Sequence, residues 1–150
     1  MRILFVCSSC GHLAQLLALQ EWWEKEERRW VTFDTADARA ALGTEKVAWG
    51  HFPTTRDIPN LARNFALARR LLADWKPDVI MSTGAGIALP FFVLGRLAGI
   101  RTVYIEVYDR VDSATLTAKL VTRWTDLFLV QWDSQLEHAP EGAVVVGPVW

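Results

Sequence analysis

Short apolar runs alternate with helix-like segments along almost the whole chain, and this alternation constrains the fold more than any other feature. Seven runs rich in Val, Ile, Leu and aromatic residues predict buried strands at 2–7, 30–33, 46–49, 79–82, 102–105, 127–130 and 143–146. Apolar residues at helical spacing predict helices at 13–23, 36–42, 60–76, 87–99 and 113–124. Buried strands alternating with helices indicate an α/β fold, a parallel sheet with helices on both faces.

The expected helix ends follow from polar and helix-breaking residues. The charged residues at 24–29 predict a solvent-exposed end to the first helix. Asn60 is the predicted N-cap of the third helix, and Pro77 is expected to stop it.

Size and charge exclude several classes of protein. A chain of 150 residues, 51% of them apolar, predicts one domain covering residues 1–150 and excludes disorder. The formal charge of −1 gives no global attraction to nucleic acid, so no nucleic-acid partner is expected. The apolar runs are too short for a signal peptide or a membrane span, which favours an intracellular protein.

The two cysteines, Cys7 and Cys10, have C-x-x-C spacing at the end of the first predicted strand. Structural zinc needs four ligands and the chain offers no second pair, so no metal is expected. A redox dithiol is the alternative to a packing or loop role, and the packing role is favoured.

Two small-residue loops follow predicted strands, at the sheet edge where such folds bind ligands. The first contains Ser9, Gly11 and His12, which stands at the first turn of a helix. The second is the turn formed by Thr83, Gly84, Ala85 and Gly86. Small residues and helix N–H groups suit a phosphate or sugar, and His12 suits a base. The alternatives are a capping or packing role for His12 and an ordinary tight turn for 83–86.

Charged residues at the end of a third strand point to the same edge. Glu106, Asp109 and Arg110 follow the apolar strand at 102–105. A carboxylate that ends a buried strand is costly unless it is paired or used. Arg110 is expected to pair with Glu106 or Asp109, or to hold a phosphate. A purely structural ion pair is the alternative.

These loops together resemble a known family, over nearly the whole chain. The residues that carry the resemblance are 8–13, 82–86, Glu106 with Arg110 and Val111, and 129–132. They are similar to the acceptor-side subunit of two-component UDP-N-acetylglucosaminyltransferases, of the dolichol-oligosaccharide type and its bacterial exopolysaccharide and capsule counterparts. A more distant resemblance is to the N-terminal half of the peptidoglycan N-acetylglucosaminyltransferase.

The resemblance implies a Rossmann-like domain equivalent to the N-terminal half of a GT-B glycosyltransferase. It also implies inverting transfer from a UDP-sugar to a lipid-linked acceptor, without a metal or other cofactor. His12 or Glu106 is then the expected base, with Asp109 third. The remaining implied substrate contacts are Ser9, Gly11, Thr83, Gly84, Ala85, Gly86, Arg110 and Ser113. The family loop usually reads Gly-Gly-His, whereas this chain has Cys10 before Gly11 and His12.

The resemblance further implies a partner. A GT-B cleft needs two halves, so 150 residues are interpreted as half an enzyme that works with a donor-binding subunit. Gln131, Trp132 and Trp150 are the predicted contacts with that partner. The expected location is the cytoplasm, peripherally on the inner face of the plasma membrane. Two other functions stay open: a non-catalytic scaffold that recruits the donor-binding subunit, and a flavodoxin-like protein using Cys7 and Cys10.

Overall fold

A computed structural model describes residues 1–110 and 113–149 and shows seven parallel strands in one sheet. The strands lie in the order β3-β2-β1-β4-β5-β6-β7. Their bounds are β1 Arg2–Val6, β2 Glu27–Phe33, β3 Val47–Gly50, β4 Val79–Ser82, β5 Arg101–Ile105, β6 Leu127–Val130 and β7 Val144–Val145. The predicted α/β class with a parallel sheet is therefore confirmed.

Helices connect the strands. Their bounds are α1 Gly11–Ala18, α2 Gln20–Trp23, α3 Ala36–Leu42, α4 Ile58–Trp75, α5 Ala88–Leu97 and α6 Leu116–Val121. Short 3₁₀ helices follow at Thr122–Trp124 and Asp133–His138. Among the described residues, no helix is long and apolar enough to span a membrane.

The two faces of the sheet carry separate apolar clusters, because side chains alternate along each strand. Ile3 and Phe5 pack on one side with residues of α1, α2 and α3. Leu4 and Val6 pack on the other side with residues of α4, α5 and α6. The helices therefore form two layers, which we call the α1–α3 layer and the α4–α6 layer.

One part of the sheet is less covered than the rest. On the face of the α1–α3 layer, residues of β4, β5 and β6 line an apolar hollow of about 850 Å³. Leu19 and Trp22 border it on one side, and Val146 and Val149 of the C-terminal segment on the other. We call this feature the apolar hollow.

The structure corrects several predicted boundaries. β2 begins at Glu27 rather than residue 30, because the guanidinium groups of Arg28 and Arg29 lie over the rings of Trp23 and Trp75. Charged residues can therefore occupy the start of a strand, and the cluster at 24–29 does not simply end a helix. The first predicted helix is split at Leu19 into α1 and α2.

The caps of α4 and α6 also differ from the predictions. Asn60 does not cap α4: Asp57 does, and its Oδ1 accepts from the backbone N–H of Asn60 at 2.8 Å. Residues 113–115 precede α6, whose N-cap is Thr115.

The strand order changes direction between β1 and β4. β1 connects towards β2 and β3 on one side, whereas its neighbour β4 connects towards β5, β6 and β7 on the other. The loops after β1 and β4 thus diverge from a topological switch point, where open α/β sheets bind their ligands.

Candidate functional site

The loops after β1 and β4 are joined by a pair of hydrogen bonds. His12, in the first turn of α1, has its Nδ1 2.9 Å from the backbone oxygen of Thr83. In return, the hydroxyl of Thr83 donates to the backbone oxygen of His12 at 2.8 Å. The side chain of Thr83 is completely buried. We call this reciprocal pair the His12–Thr83 clamp.

The clamp decides which imidazole nitrogen carries the proton. A backbone carbonyl only accepts, so Nδ1 must be the protonated nitrogen, and neutral His12 has its lone pair on Nε2. Burial lowers the pKa of His12 below its ordinary value, and the charge of Arg110 adds to that effect. The bond to Thr83 and the charge of Asp109 raise it in part. His12 is therefore neutral at pH 7, with Nε2 able to accept a proton.

Gly84 is required beside the clamp. Its φ is +123°, a conformation that side chains with a Cβ rarely adopt. A Cβ here would lie 2.9 Å from the Tyr104 hydroxyl oxygen and 3.1 Å from Cε1 of His12. The turn is held from within, because the backbone N–H of Gly84 donates to the hydroxyl of Ser82 at 3.0 Å.

The rest of the predicted turn lies against another loop. Ala85 has a positive φ of 69°. A Cβ on Gly86 would lie 2.9 Å from the Cβ of Thr54, so the segment between β3 and α4 closes over the turn. Residues 84–86 lie just before α5. Ala85 and Gly86 are half-buried there.

Glu106 is buried rather than presented at the surface. Only 2% of it is exposed, and its Oε1 accepts from the backbone N–H of Val107 at 3.0 Å. Its Oε2 accepts from the backbone N–H of Thr115 at 3.3 Å. Burial raises the pKa of Glu106, while these hydrogen bonds act against the rise. The carboxylate thus ties the end of β5 to the start of α6.

A small cleft brings several of the predicted residues together. It measures about 180 Å³, and its lining includes Gly11, His12, Asp109, Arg110 and Thr115. Glu106 lies outside this lining, behind Thr115. We call this feature the His12 cleft.

Arg110 adjoins the cleft without the predicted ion pair. Among residues 1–110 and 113–149, no carboxylate lies within 4.0 Å of its guanidinium group. Its charge still lowers the pKa of both His12 and Glu106. An exposed guanidinium beside a base suits an anionic group on a ligand.

Ser9 and Ser113 lie near the same sheet edge. Ser9 is half-buried in the loop between β1 and α1, and Ser113 is exposed just before α6.

Two buried glutamines hold the segment 106–110, and a third accepts a hydrogen bond from one of them. Sequence reasoning had identified only one of the three, Gln131. Gln131 donates from Nε2 to the Oε1 of Gln15 at 2.6 Å and to the backbone oxygen of Glu106 at 2.9 Å. Gln135 donates to the backbone oxygens of Val107 and Arg110. We call Gln15, Gln131 and Gln135 the glutamine network. No short motif marks such residues, because a buried amide has no characteristic spacing.

The predicted partner contacts lie in different surroundings. Gln131 is only 1% exposed, so its side chain works inside the molecule instead of facing a partner. Trp132 is half-buried and donates from Nε1 to the backbone oxygen of Tyr108 at 2.8 Å. Trp150 falls outside the described residues.

The cysteines are free thiols in unlike environments. Cys7 is buried, and burial raises the pKa of its thiol to about 12, so it is not a thiolate at neutral pH. Cys10 is exposed and has a φ of 62° and a ψ of −129°. This geometry gives no support to a redox dithiol.

The sequence matches the model of a known protein family. The model described as "Oligosaccharide biosynthesis protein Alg14 like" matches residues 51–149, which is more than half of the chain.

Curated proteins show the same relationship. The UDP-N-acetylglucosamine transferase subunit ALG14 of Mus musculus is 33% identical over 173 residues, covering 94% of this chain and 80% of the mouse protein. The Rattus norvegicus protein of the same name is 32% identical over 84 residues, covering 52% of this chain and 37% of the rat protein. The rat alignment thus spans well under half of that relative's length.

Solved structures share the fold. MurG of Acinetobacter baumannii superposes with a TM-score of 0.80 at 16% identity, covering 100% of this chain and 46% of that one. UDP-GlcNAc 2-epimerase from Neisseria meningitidis, bound to UDP-GlcNAc, gives a TM-score of 0.72 at 14% identity, covering 97% of this chain and 46% of that one. The predicted Rossmann-like fold, equivalent to one half of a GT-B glycosyltransferase, is confirmed.

Proposed function

We propose that this chain, which belongs to the family of Alg14-like oligosaccharide biosynthesis proteins, is one subunit of an inverting glycosyltransferase. The reaction moves a sugar from UDP-N-acetylglucosamine or a related UDP-sugar to a lipid-linked acceptor. A separate donor-binding subunit supplies the other half of the site. The complex works at the inner face of the plasma membrane, with this chain attached peripherally.

The His12–Thr83 clamp is the observation that carries the proposal. In it, a neutral imidazole with its lone pair on Nε2 lies at the switch point of the sheet. Transfer to a hydroxyl requires a base at the acceptor oxygen, and a neutral histidine is well matched to that task near pH 7. We therefore assign the acceptor side of the reaction to this chain.

The chemistry is a single displacement. The acceptor hydroxyl oxygen attacks the anomeric carbon of the donor sugar, and its proton passes to Nε2 of His12. The bond between the anomeric carbon and the diphosphate oxygen breaks, and UDP leaves with that electron pair. Attack opposite the leaving group inverts the anomeric configuration. Asp109 stabilises the imidazolium that forms, since its charge favours protonated His12.

The other site residues take supporting roles in this proposal. Arg110 binds an acceptor phosphate, and the backbone N–H groups of 84–86 meet the acceptor or the diphosphate. Glu106 acts as a positioning residue, because both of its oxygens already accept hydrogen bonds inside the protein. His12 is therefore preferred to Glu106 as the base. Metal independence stays a prediction, tested by measuring transfer in the presence of EDTA.

The size of the His12 cleft supports a site shared with a second subunit. At about 180 Å³ it is smaller than typical small-molecule sites, which measure about 300–1,000 Å³. A nucleotide sugar and an acceptor need more enclosure than the His12 cleft offers. A second half facing the switch point would complete the site.

The decisive experiment compares His12→Ala with His138→Ala in a reconstituted complex with the donor-binding subunit. His138 is an exposed histidine after β6 and serves as the matched control. We expect His12→Ala to lower kcat by about 100-fold or more, the usual contribution of a general base. The kcat of the control variant, His138→Ala, should stay within about twofold of that of the unaltered protein. Pull-down of the donor-binding subunit should be unchanged in both variants.

Two results would redirect the proposal. A His12→Ala variant that loses less than tenfold in rate removes His12 as the base. If alanine at His12, Glu106 and Asp109 in turn all leave full transfer, the chain is a non-catalytic scaffold for the donor-binding subunit. A panel of UDP-N-acetylglucosamine, UDP-glucose and UDP-glucuronate identifies the donor.

A further inference from the structure

The two helical layers carry opposite charge, although the whole chain is nearly neutral. In α4, α5, α6 and the 3₁₀ helix after α6 there is one carboxylate, Asp74, against six cations: Arg63, Arg69, Arg70, Arg96, Lys119 and Arg123. In α1, α2 and α3 there are two carboxylates and one cation. The net charge of the whole sequence is close to zero, but the α4–α6 layer nevertheless has a basic surface.

Large apolar side chains stand among these cations. Leu116 is 72% exposed and Leu120 is 47% exposed, both on α6. Lys119 lies between them in sequence and is exposed, and Arg123 follows one turn after Lys119. Residues 113–125 contain these two cations and no carboxylate. We call Leu116, Lys119, Leu120 and Arg123 the α6 face.

The α6 face adjoins the His12 cleft. Thr115 lines that cleft and is also the N-cap of α6, so Leu116 begins the helix immediately beside it. The layer behind is continuous, because α5 packs against both α4 and α6. A flat partner that bound the α6 face would therefore lie next to the opening of the cleft.

We propose that the α6 face binds an anionic lipid bilayer and holds the His12 cleft at its surface. Basic residues near anionic lipid each contribute favourable electrostatic energy, and adjacent leucines insert between the headgroups. Cations mixed with exposed leucines fit a bilayer better than nucleic acid, which would use cations with stacking aromatics. The proposed membrane binding depends on the proposed function in one respect only: it explains how a lipid-linked acceptor would reach His12.

Vesicle flotation of the purified chain tests the surface directly. The vesicles are phosphatidylcholine alone, or phosphatidylcholine with phosphatidylglycerol. The test variant is Leu116→Ser with Lys119→Gln. The matched control is Trp22→Ser with Lys25→Gln, which removes one exposed apolar side chain from α2 and one exposed cation from the turn that follows α2. All four substitutions are at exposed positions, and circular dichroism confirms folding.

We expect the chain to bind the anionic vesicles and to bind neutral ones much more weakly. The α6 variant should lose at least about tenfold in its partition coefficient, and the control should lose less than about twofold. Half-molar salt should weaken binding of the unaltered chain. Equal loss in the two variants, equal binding to both vesicle types, or no vesicle binding at all would overturn the proposal. Heparin binding without vesicle binding would instead indicate an acidic macromolecule.

The same variants separate this surface from the transferase activity. Transfer to a short-chain acceptor in detergent should survive in the α6 variant, because that assay needs no bilayer. Vesicle binding without any transfer by the complex would leave the surface in place and refute the proposed function.

Discussion

Replacing Gly84 by alanine tests whether the clamp depends on an empty position beside it. The new Cβ would lie 2.9 Å from the Tyr104 hydroxyl oxygen and 3.1 Å from Cε1 of His12. Tyr104 is fully buried, so the tyrosine ring has little room to move. The imidazole of His12, which faces the cleft, is therefore the group that must give way.

The magnitude follows from two costs. Holding alanine at a φ of +123° costs about 1–3 kcal/mol, and overpacking a tight site costs a similar amount. We expect the free energy of unfolding to fall by about 2–6 kcal/mol and Tm to fall by roughly 5–20 °C. A displacement of His12 by about 1 Å would also lower transfer about 100-fold.

Gly11→Ala is the matched control, because Gly11 lies in the same cleft but has open space around its Cα and an ordinary φ. Thermal unfolding by circular dichroism and transfer by the reconstituted complex measure both effects. The control should keep its Tm within about 2 °C. If Gly84→Ala matched the control in stability, the close approach of the turn to His12 would be refuted.

Three further predictions concern the same region. Cys10→Gly should raise the free energy of unfolding by about 1 kcal/mol in urea titrations, since a φ of 62° with a ψ of −129° suits glycine. Asp109→Asn should move the acid limb of kcat/KM to lower pH, because its charge raises the pKa of His12, whereas Arg110→Gln should move that limb to higher pH. Gln131→Met should cost about 2–4 kcal/mol by leaving its buried partners unpaired, measured by chemical unfolding.

Each of these has an outcome that contradicts it. If Cys10→Gly lowered the free energy of unfolding, the loop after β1 would not be strained at Cys10. Shifts of the two pH profiles in the same direction would show that His12 does not set the acid limb. A change in Gln131→Met no larger than in Gln20→Met, at an exposed site on α2, would mean that the network contributes nothing to stability.

The order of elements and the family could be read from the sequence, because both depend on local patterns. Continuous apolar runs mark buried parallel strands. The residues at 8–13, 82–86, 106–111 and 129–132 carried the family resemblance, which is confirmed. The N-cap of α4 could also have been predicted from the sequence. Pro59 is tolerated only in the first turn of a helix, so the cap had to precede it, as Asp57 does.

The details of the site could not be read in this way, since they depend on residues far apart in the chain. The pattern placed Glu106 correctly at the end of a strand. Its burial depends on Thr115, whose N–H and hydroxyl approach the carboxylate from the start of α6. The link between Gln15 and Gln131 joins residues 116 positions apart, and only the folded sheet brings them together.

The apolar hollow affects the solubility of this protein and its thermal stability in different ways. Parallel sheets usually have both faces covered, yet β4, β5 and β6 line an open apolar hollow of about 850 Å³. Changes that strengthen the core will raise Tm but leave this surface as adhesive as before. A charge placed at its exposed edge, such as Leu127→Lys, should increase the concentration at which the isolated chain stays monomeric while hardly changing Tm. Solubility and thermal stability can therefore be engineered independently in this fold.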